Sequence, residues 1–194
     1  DVFPSKIVCV GRNFVDHIVE LGNEVPTEPV IFIKPNTAIG ENLLSVRDEA
    51  IHYEGELSFI VRSGKIAGVG VGLDLTKRTL QNHLKDKGLP WERAKAFDGA
   101  ALFSKFVPID ENLSALALRL NIDGKLRQSG DYTLMINKPE ALIMNIQKFC
   151  TLLDNDIVMM GTPKGVGKIE KGQLFKGSVF NGIELLIEKS WTAL

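Results

Sequence analysis

The chain has 194 residues, enough for one well-buried domain spanning residues 1–194 without requiring a second. Its 23 basic and 24 acidic side chains nearly balance, which argues against a nucleic-acid or polyanion-binding surface. The longest apolar runs are strand-sized, so no segment reads as a bilayer span.

The first residues, Asp-Val-Phe-Pro-Ser-Lys, lack the basic start and apolar core of a signal peptide, and Asp1 in place of an initiator methionine marks a trimmed chain. Cys9 and Cys150 stand alone, without Cys-x-x-Cys spacing, and read as buried thiols in a reducing compartment, the cytoplasm. Ile7–Val10 predicts a short buried strand ended by Gly11. Asn13 then caps a brief helix over Phe14–Leu21, stopped by Gly22. Val30–Ile33 predicts a second strand, broken by Lys34-Pro35. The segment His52–Val61 is β-branched and aromatic after its acids, and Val69–Leu75 is a further strand. Thr76 is placed to cap a helix from about Lys77 to Lys87, which ends at Gly88 and Pro90. Leu116–Ile122 alternates and turns at Asp123-Gly124 into Lys125–Gln128, a hairpin signal. Apolar residues at helical spacing predict a helix from Pro139 to Leu153. Asp156–Met160 reads as a strand entering the loop Gly161–Gly167, and two closing strands follow, around Gly172–Val179 and Ile183–Glu188. Many short strands, few helices and no regular strand–helix alternation predict an α+β fold.

The chemistry concentrates in the strand that carries Glu54 and Glu56. Residues two apart on a strand project from one face, so the two carboxylates point the same way. Like charges held that close are costly unless water or a cation compensates them, so this face is either wet or holds a metal. Asp74, at the end of the next strand, adds a third hard oxygen donor, a set suited to Mg²⁺, Mn²⁺ or Ca²⁺. Gly70 and Gly72 beside it leave one face bare for a neighbouring backbone or a ligand.

Six motifs occur in order: Val8-Cys-Val-Gly-Arg-Asn-Phe-Val-Asp-His17, Val30-Ile-Phe-Ile-Lys-Pro35, His52-Tyr-Glu-Gly-Glu-Leu57, Leu73-Asp-Leu-Thr76, Gly88-Leu-Pro-Trp-Glu-Arg-Ala-Lys-Ala-Phe97 and Gly161-Thr-Pro-Lys-Gly-Val-Gly167. With them the chain resembles the fumarylacetoacetate hydrolase family, in particular its small members acting on acylpyruvates and oxaloacetate. The resemblance covers about residues 6 to 188 and implies a mixed β-sandwich roll of the family's C-terminal domain type, with a few short helices, usually a homodimer. It implies one Mg²⁺ or Mn²⁺ per subunit on Glu54, Glu56 and Asp74, and a 2-oxo acid substrate or its enol.

The same resemblance gives roles to residues that spacing alone leaves open. His17 and Glu20, three apart on the first helix, share a face and would otherwise pass for an exposed polar pair. In the matching motif they form a dyad on a lid, Glu20 orienting His17 as it takes a proton from water. Lys95, in a polar loop from Trp91 to Phe97, matches the family's active-site lysine and would offset the site's negative charge and a developing enolate. Arg78 and Gln81, three apart on the helix after Asp74, are candidate substrate contacts. Thr162, in a loop that offers backbone N–H groups, is placed to bond a substrate carboxylate. His52 is read as an orienting partner or an outward strand residue, His83 as a surface residue, and the Trp and Phe side chains as core. Phe14 departs from the tyrosine common in relatives, and the spacings from Pro35 to His52 and from Glu56 to Asp74 are short.

Hydrolysis of an acylpyruvate to pyruvate and a carboxylic acid comes first on this reading. Oxaloacetate decarboxylation or tautomerisation is second and isomerisation of a diene-dioate third. Hydrolysis, decarboxylation and tautomerisation share an enolate-type intermediate, so the residues do not choose between them. A non-catalytic, metal-dependent dicarboxylate binder is the alternative of a different class.

Overall fold

A computed structural model describes residues 3–20, 22, 26–110 and 112–194. Its strands, in chain order, are β1 (Lys6–Gly11), β2 (Val30–Pro35), β3 (Val46–Arg47), β4 (Glu49–Tyr53), β5 (Gly55–Arg62), β6 (Lys65–Asp74), β7 (Thr76–Lys77), β8 (Ala101–Phe103), β9 (Val107–Pro108), β10 (Leu116–Ile122), β11 (Lys125–Asp131), β12 (Ile157–Met159), β13 (Gly167–Lys168), β14 (Leu174–Asn181) and β15 (Glu184–Thr192). The α-helices are α1 (Val15–Glu20), α2 (Arg78–Asp86), α3 (Glu92–Lys95) and α4 (Pro139–Gln147). No helix among the described residues is long and apolar enough to cross a membrane.

A sheet in the order β2-β1-β12-β5-β6-β8, with β9 also on β6, forms the centre of the fold. It is mixed, because β1 runs parallel to β12 while the other pairs are antiparallel. An antiparallel sheet β11-β10-β14-β15 lies against it, and a smaller group, β13-β4-β3 with β7 on β4, closes one end. The result is the α+β roll expected from the sequence.

Strand periodicity explains where the site can form. Val8 and Val10, Leu57, Phe59 and Val61, and Val69, Val71 and Leu73 face the main core, shared with Leu116, Leu118, Leu120, Phe175 and Val179. The alternate residues of β1 and β12, Ile7, Cys9, Ile157 and Met159, form a second apolar cluster with Ala101. Glu56 alternates with the core residue Leu57, and Asp74 with Leu73, so both acids are excluded from the main core.

Several elements differ from the sequence reading. The β2 strand continues through Lys34-Pro35 instead of breaking there. Asn13 does not cap α1. Its side-chain oxygen accepts Asn137 N–H at 2.8 Å, and its amide donates to Asn137 O at 3.0 Å and Met160 O at 2.9 Å. Leu21, placed at the end of that helix by the sequence, lies outside the described residues, as does Asp1. Thr76 belongs to β7, and α2 starts at Arg78 without a side-chain cap. The α4 helix stops at Gln147, with Phe149 and Leu153 exposed, so the expected last turn is absent. Cys150 is half-buried, and Phe3 is exposed, contrary to the expectation of a core position. The short spacing between Glu56 and Asp74 is met by a tight turn, Ser63-Gly64, both residues at positive φ, joining β5 directly to β6.

Candidate active site

Glu54 is not on the same strand as Glu56. The chain leaves β4 at Tyr53 and enters β5 at Gly55, so Glu54 occupies the joint between two sheets. Its carbonyl accepts Asp74 N–H at 2.8 Å, which fixes the joint to the end of β6. Glu56 pairs across the ladder with Gly72. A Cβ on Gly72 would come 2.2 Å from Ser58 Oγ and 2.8 Å from Met159 Cε, so this glycine permits close side-chain packing beside the acids, with no ligand required to explain it. Gly70 serves the same purpose under Ser104.

Glu54, Glu56 and Asp74 each present a carboxylate oxygen, and these oxygens lie within 4.8 Å of one another. The residues are only 6 %, 2 % and 1 % exposed, which rules out the wet polar face. Burial would raise the pKa of Glu54, but the charges of Lys95, Arg78 and His17 outweigh it and hold the group well below the usual carboxylate range. Glu56 is pushed well above that range by burial and by the charges of Asp74 and Glu54, offset only in part by Lys95 and by the Gly161 N–H at 2.8 Å. Among the described residues it has no ion-pair partner.

Lys95 lies on the short helix α3, where the sequence predicts a polar loop, and it is buried. Its ammonium donates to Glu54 at 2.9 Å, Asp74 at 2.8 Å and Thr76 Oγ1 at 2.7 Å, using all three of its donors. Burial alone would disfavour its charge, yet Asp74 and Glu54 raise its pKa. Lys34, fully buried, donates to the carbonyls of Lys95 and Ala100 and stands 2.8 Å from Asp74 Oδ1. That last contact is an ion pair. A buried Glu56 with no ion-pair partner among the described residues and three converging oxygen donors fit a hard dication such as Mg²⁺ or Mn²⁺.

The remaining candidates surround this centre. His17 Nδ1 lies 3.2 Å from Glu20 Oε2, and the Glu20 carboxylate also accepts Gly165 N–H at 3.0 Å. The α1 helix is thereby fastened to the Gly161–Gly167 loop, with a second tie from Lys164 to Asp16 at 2.9 Å. Arg78 pairs with Glu54 and donates to Gln81 Oε1 at 2.7 Å, so these two residues form one unit over the acids. Thr162 is more committed than expected: its hydroxyl donates to Gly55 O at 2.8 Å and accepts from Gln128 Nε2 at 2.7 Å. His17, Arg78, Gln81, Lys95, Thr162 and the three acids all line one narrow cavity of about 40 Å³. Arg12, Lys85 and Trp91 line it too, although Trp91 read as core. His52 is half-buried on β4, and His83 is exposed on α2.

Sequence reasoning missed Lys34, taken as a strand breaker, and gave Arg12, Lys85 and Gln128 no role. Lys34 carried a usable signal, since an ammonium inside an apolar strand requires a buried carboxylate.

The family profile described as fumarylacetoacetate (FAA) hydrolase C-terminal matches residues 6–185. The chain is 41% identical to the oxaloacetate tautomerase YcgM of Escherichia coli (strain K12), over 87% of this chain and 85% of that protein. It is 35% identical to the mitochondrial oxaloacetate decarboxylase of Dictyostelium discoideum, over 88% of this chain and 87% of that protein. Among solved structures it resembles fumarylpyruvate hydrolase from Pseudomonas aeruginosa in complex with Mn²⁺ and pyruvate, with a TM-score of 0.87 at 30% identity, covering 97% of this chain and 89% of that one.

Proposed function

The chain belongs to the fumarylacetoacetate hydrolase family, and from its site we propose that it is a divalent-metal-dependent enzyme that interconverts the keto and enol forms of oxaloacetate or decarboxylates it. This reverses the order drawn from sequence, which put acylpyruvate hydrolysis first. The two curated relatives described above are named for oxaloacetate chemistry, and that favours the former alternative.

The observation that carries the reading is the buried convergence of Glu54, Glu56 and Asp74 beside the His17–Glu20 pair. Glu54, Glu56 and Asp74 would hold Mg²⁺ or Mn²⁺, and the bound ion would supply a Lewis acid for the 2-oxo acid end of the substrate. Lys95 pairs with Glu54 and Asp74, and Lys34 with Asp74, and these contacts hold the two carboxylates in place. His17, held through Nδ1 by Glu20, has Nε2 left to take or return the substrate's C3 proton. Tautomerisation moves that proton between C3 and the 2-oxygen. Decarboxylation breaks C3–C4 instead: CO₂ leaves, the bond's electron pair stays as the enolate of pyruvate, and a proton delivered to C3 completes pyruvate. Arg78 and Gln81 line the cavity over the acids and would contact the substrate there, and Thr162, bonded to Gly55 and Gln128, holds the loop next to the Gly161 N–H that meets Glu56.

Hydrolysis of an acylpyruvate is the second reading, favoured by the likeness to fumarylpyruvate hydrolase. Here His17 activates water and the pyruvate enolate departs. A dicarboxylate binder without catalysis would need the three acids but neither His17 nor Glu20. A homodimer working in a reducing compartment completes the proposal, and the two free cysteines suit such a compartment.

The test is to follow enol-to-keto conversion and pyruvate release from oxaloacetate, and pyruvate release from acetylpyruvate, before and after chelation. The proposal predicts oxaloacetate turnover that falls to background with chelator and returns with Mg²⁺ or Mn²⁺. Chelator-insensitive turnover, or activity on acetylpyruvate alone, would contradict it.

A further inference from the structure

Beside the narrow cavity over the acids lies a wider one of about 520 Å³. Arg12, Arg78 and Lys85 line both. Arg78 is committed to Glu54 and Gln81, but Arg12 and Lys85 have no carboxylate partner among the described residues. Arg12 is a non-glycine residue at φ 54°, in the left-handed region that favours glycine. Its Nε is buried with no hydrogen-bond partner. Lys85 rests over the Trp91 ring, 5.2 Å from its centroid, and its pKa is pushed down to about 8 by burial and by the charges of Arg12 and Arg78. Two cations are therefore crowded at the neck of the site; Glu54 acts on Lys85 from a distance, but neither cation has an ion pair among the described residues.

The acids facing the wider cavity do not neutralise them. Glu20 is held by His17 and Gly165, and Asp86 is exposed at the end of α2 without an ion pair among the described residues. His52, whose pKa is lowered by burial and by Arg78, adds no anion. The inner space of about 40 Å³ holds little more than a 2-oxo acid head, so the rest of any ligand must extend past Arg12 and Lys85.

We propose that Arg12 and Lys85 bind the far carboxylate of a 2-oxo dicarboxylate and so select dicarboxylates over substrates with a neutral tail. The inference rests on the reading that the three acids hold the 2-oxo acid end through a dication. A guanidinium offers planar paired donors to a carboxylate and an ammonium adds a point charge, an arrangement that desolvates well at a narrow neck.

The test is equilibrium binding of L-malate and L-lactate to the Mn²⁺-loaded full chain, followed by the fluorescence of Trp91 and by calorimetry. Both acids chelate through a carboxylate and a hydroxyl, and only malate carries the second carboxylate. The wild type should bind malate about 10–100-fold more tightly, the range of one or two charge-assisted hydrogen bonds. R12Q and K85Q should each remove most of that preference while leaving lactate affinity within about twofold. K85Q, on the half-buried face of α2, keeps the test decisive if R12Q does not fold. Equal binding of the two acids by the wild type, or variants that weaken both alike, would overturn the inference. Binding that persists unchanged after Mn²⁺ is removed would overturn the metal reading instead, whatever the preference between the acids.

Discussion

Glu56 is buried beside two other carboxylates, and the Lys95 ammonium and a single backbone N–H offset them only in part. A carboxyl whose folded pKa lies above its unfolded one loses folding stability as pH rises from the ordinary carboxylate range through the raised value. In metal-free protein Glu56 therefore destabilises the fold at neutral and higher pH. E56Q should melt higher than the metal-free wild type at pH 8 by about 1–3 kcal/mol of stability, with each kcal/mol shifting Tm by roughly 2–4 °C at this chain length. The same variant should lose the Tm gain that saturating Mn²⁺ gives the wild type. Paired melting curves with and without Mn²⁺ decide it, and an E56Q protein still stabilised by the ion would contradict the assignment. His17 calls for the opposite pattern. H17A should lower oxaloacetate turnover by about 10²–10⁴-fold, the usual range for a lost acid–base group, while the Mn²⁺-induced Tm gain stays intact. A parallel loss of metal response would mean that His17 holds the ion and not the proton.

At the scale of elements, the parallel pair β1–β12 matters most, because β1 leads into Arg12 and His17 and β12 leads into Gly161 and Thr162. Asp156 fastens this pair at its start. It accepts Ser5 N–H at 2.9 Å, Ser5 Oγ at 2.7 Å, Lys6 N–H at 3.1 Å and Leu153 N–H at 2.9 Å, and pairs with the Lys6 ammonium. Burial would raise its pKa, but the bonds from Lys6, Ser5 and the backbone outweigh that and lower it. A depressed carboxyl contributes stability that is present above the ordinary aspartate value and lost as pH falls through the folded value. D156N should therefore cost about 2–4 kcal/mol at pH 7, and its deficit against the wild type should shrink below about pH 4. Urea unfolding across pH checks this, and a deficit unchanged at pH 3 would contradict it. Elements like the hairpin at Asp123-Gly124 were legible because the turn and the flanking alternation are local. The joint at Glu54 was not, since only pairing of β4 with β7 and β13 reveals that the chain changes sheets there. The last turn of α4 was overcalled because its apolar spacing continues after the chain leaves the helix.

For the whole molecule, the fold class and the three acids followed from residue pattern and family motifs, while the electrostatic network did not. Lys34 and Lys95 come from separate elements, β2 and α3, and meet Asp74 only in the folded sheet. The cation pair at the neck likewise joins Arg12, just after β1, to Lys85 on α2, a juxtaposition that no local spacing encodes. The order of activities also changed, since hydrolysis, decarboxylation and tautomerisation each ask the same residues to steady a 2-oxo acid enolate. On the proposed reading all three rely on the dication. Anomalous diffraction from crystals grown with Mn²⁺ tests this most directly. One peak per chain is expected among Glu54, Glu56 and Asp74, with a carboxylate oxygen of each at about 2.1 Å, the distance typical of small hard cations. An empty map there, or a peak that excludes any of the three, would contradict the account.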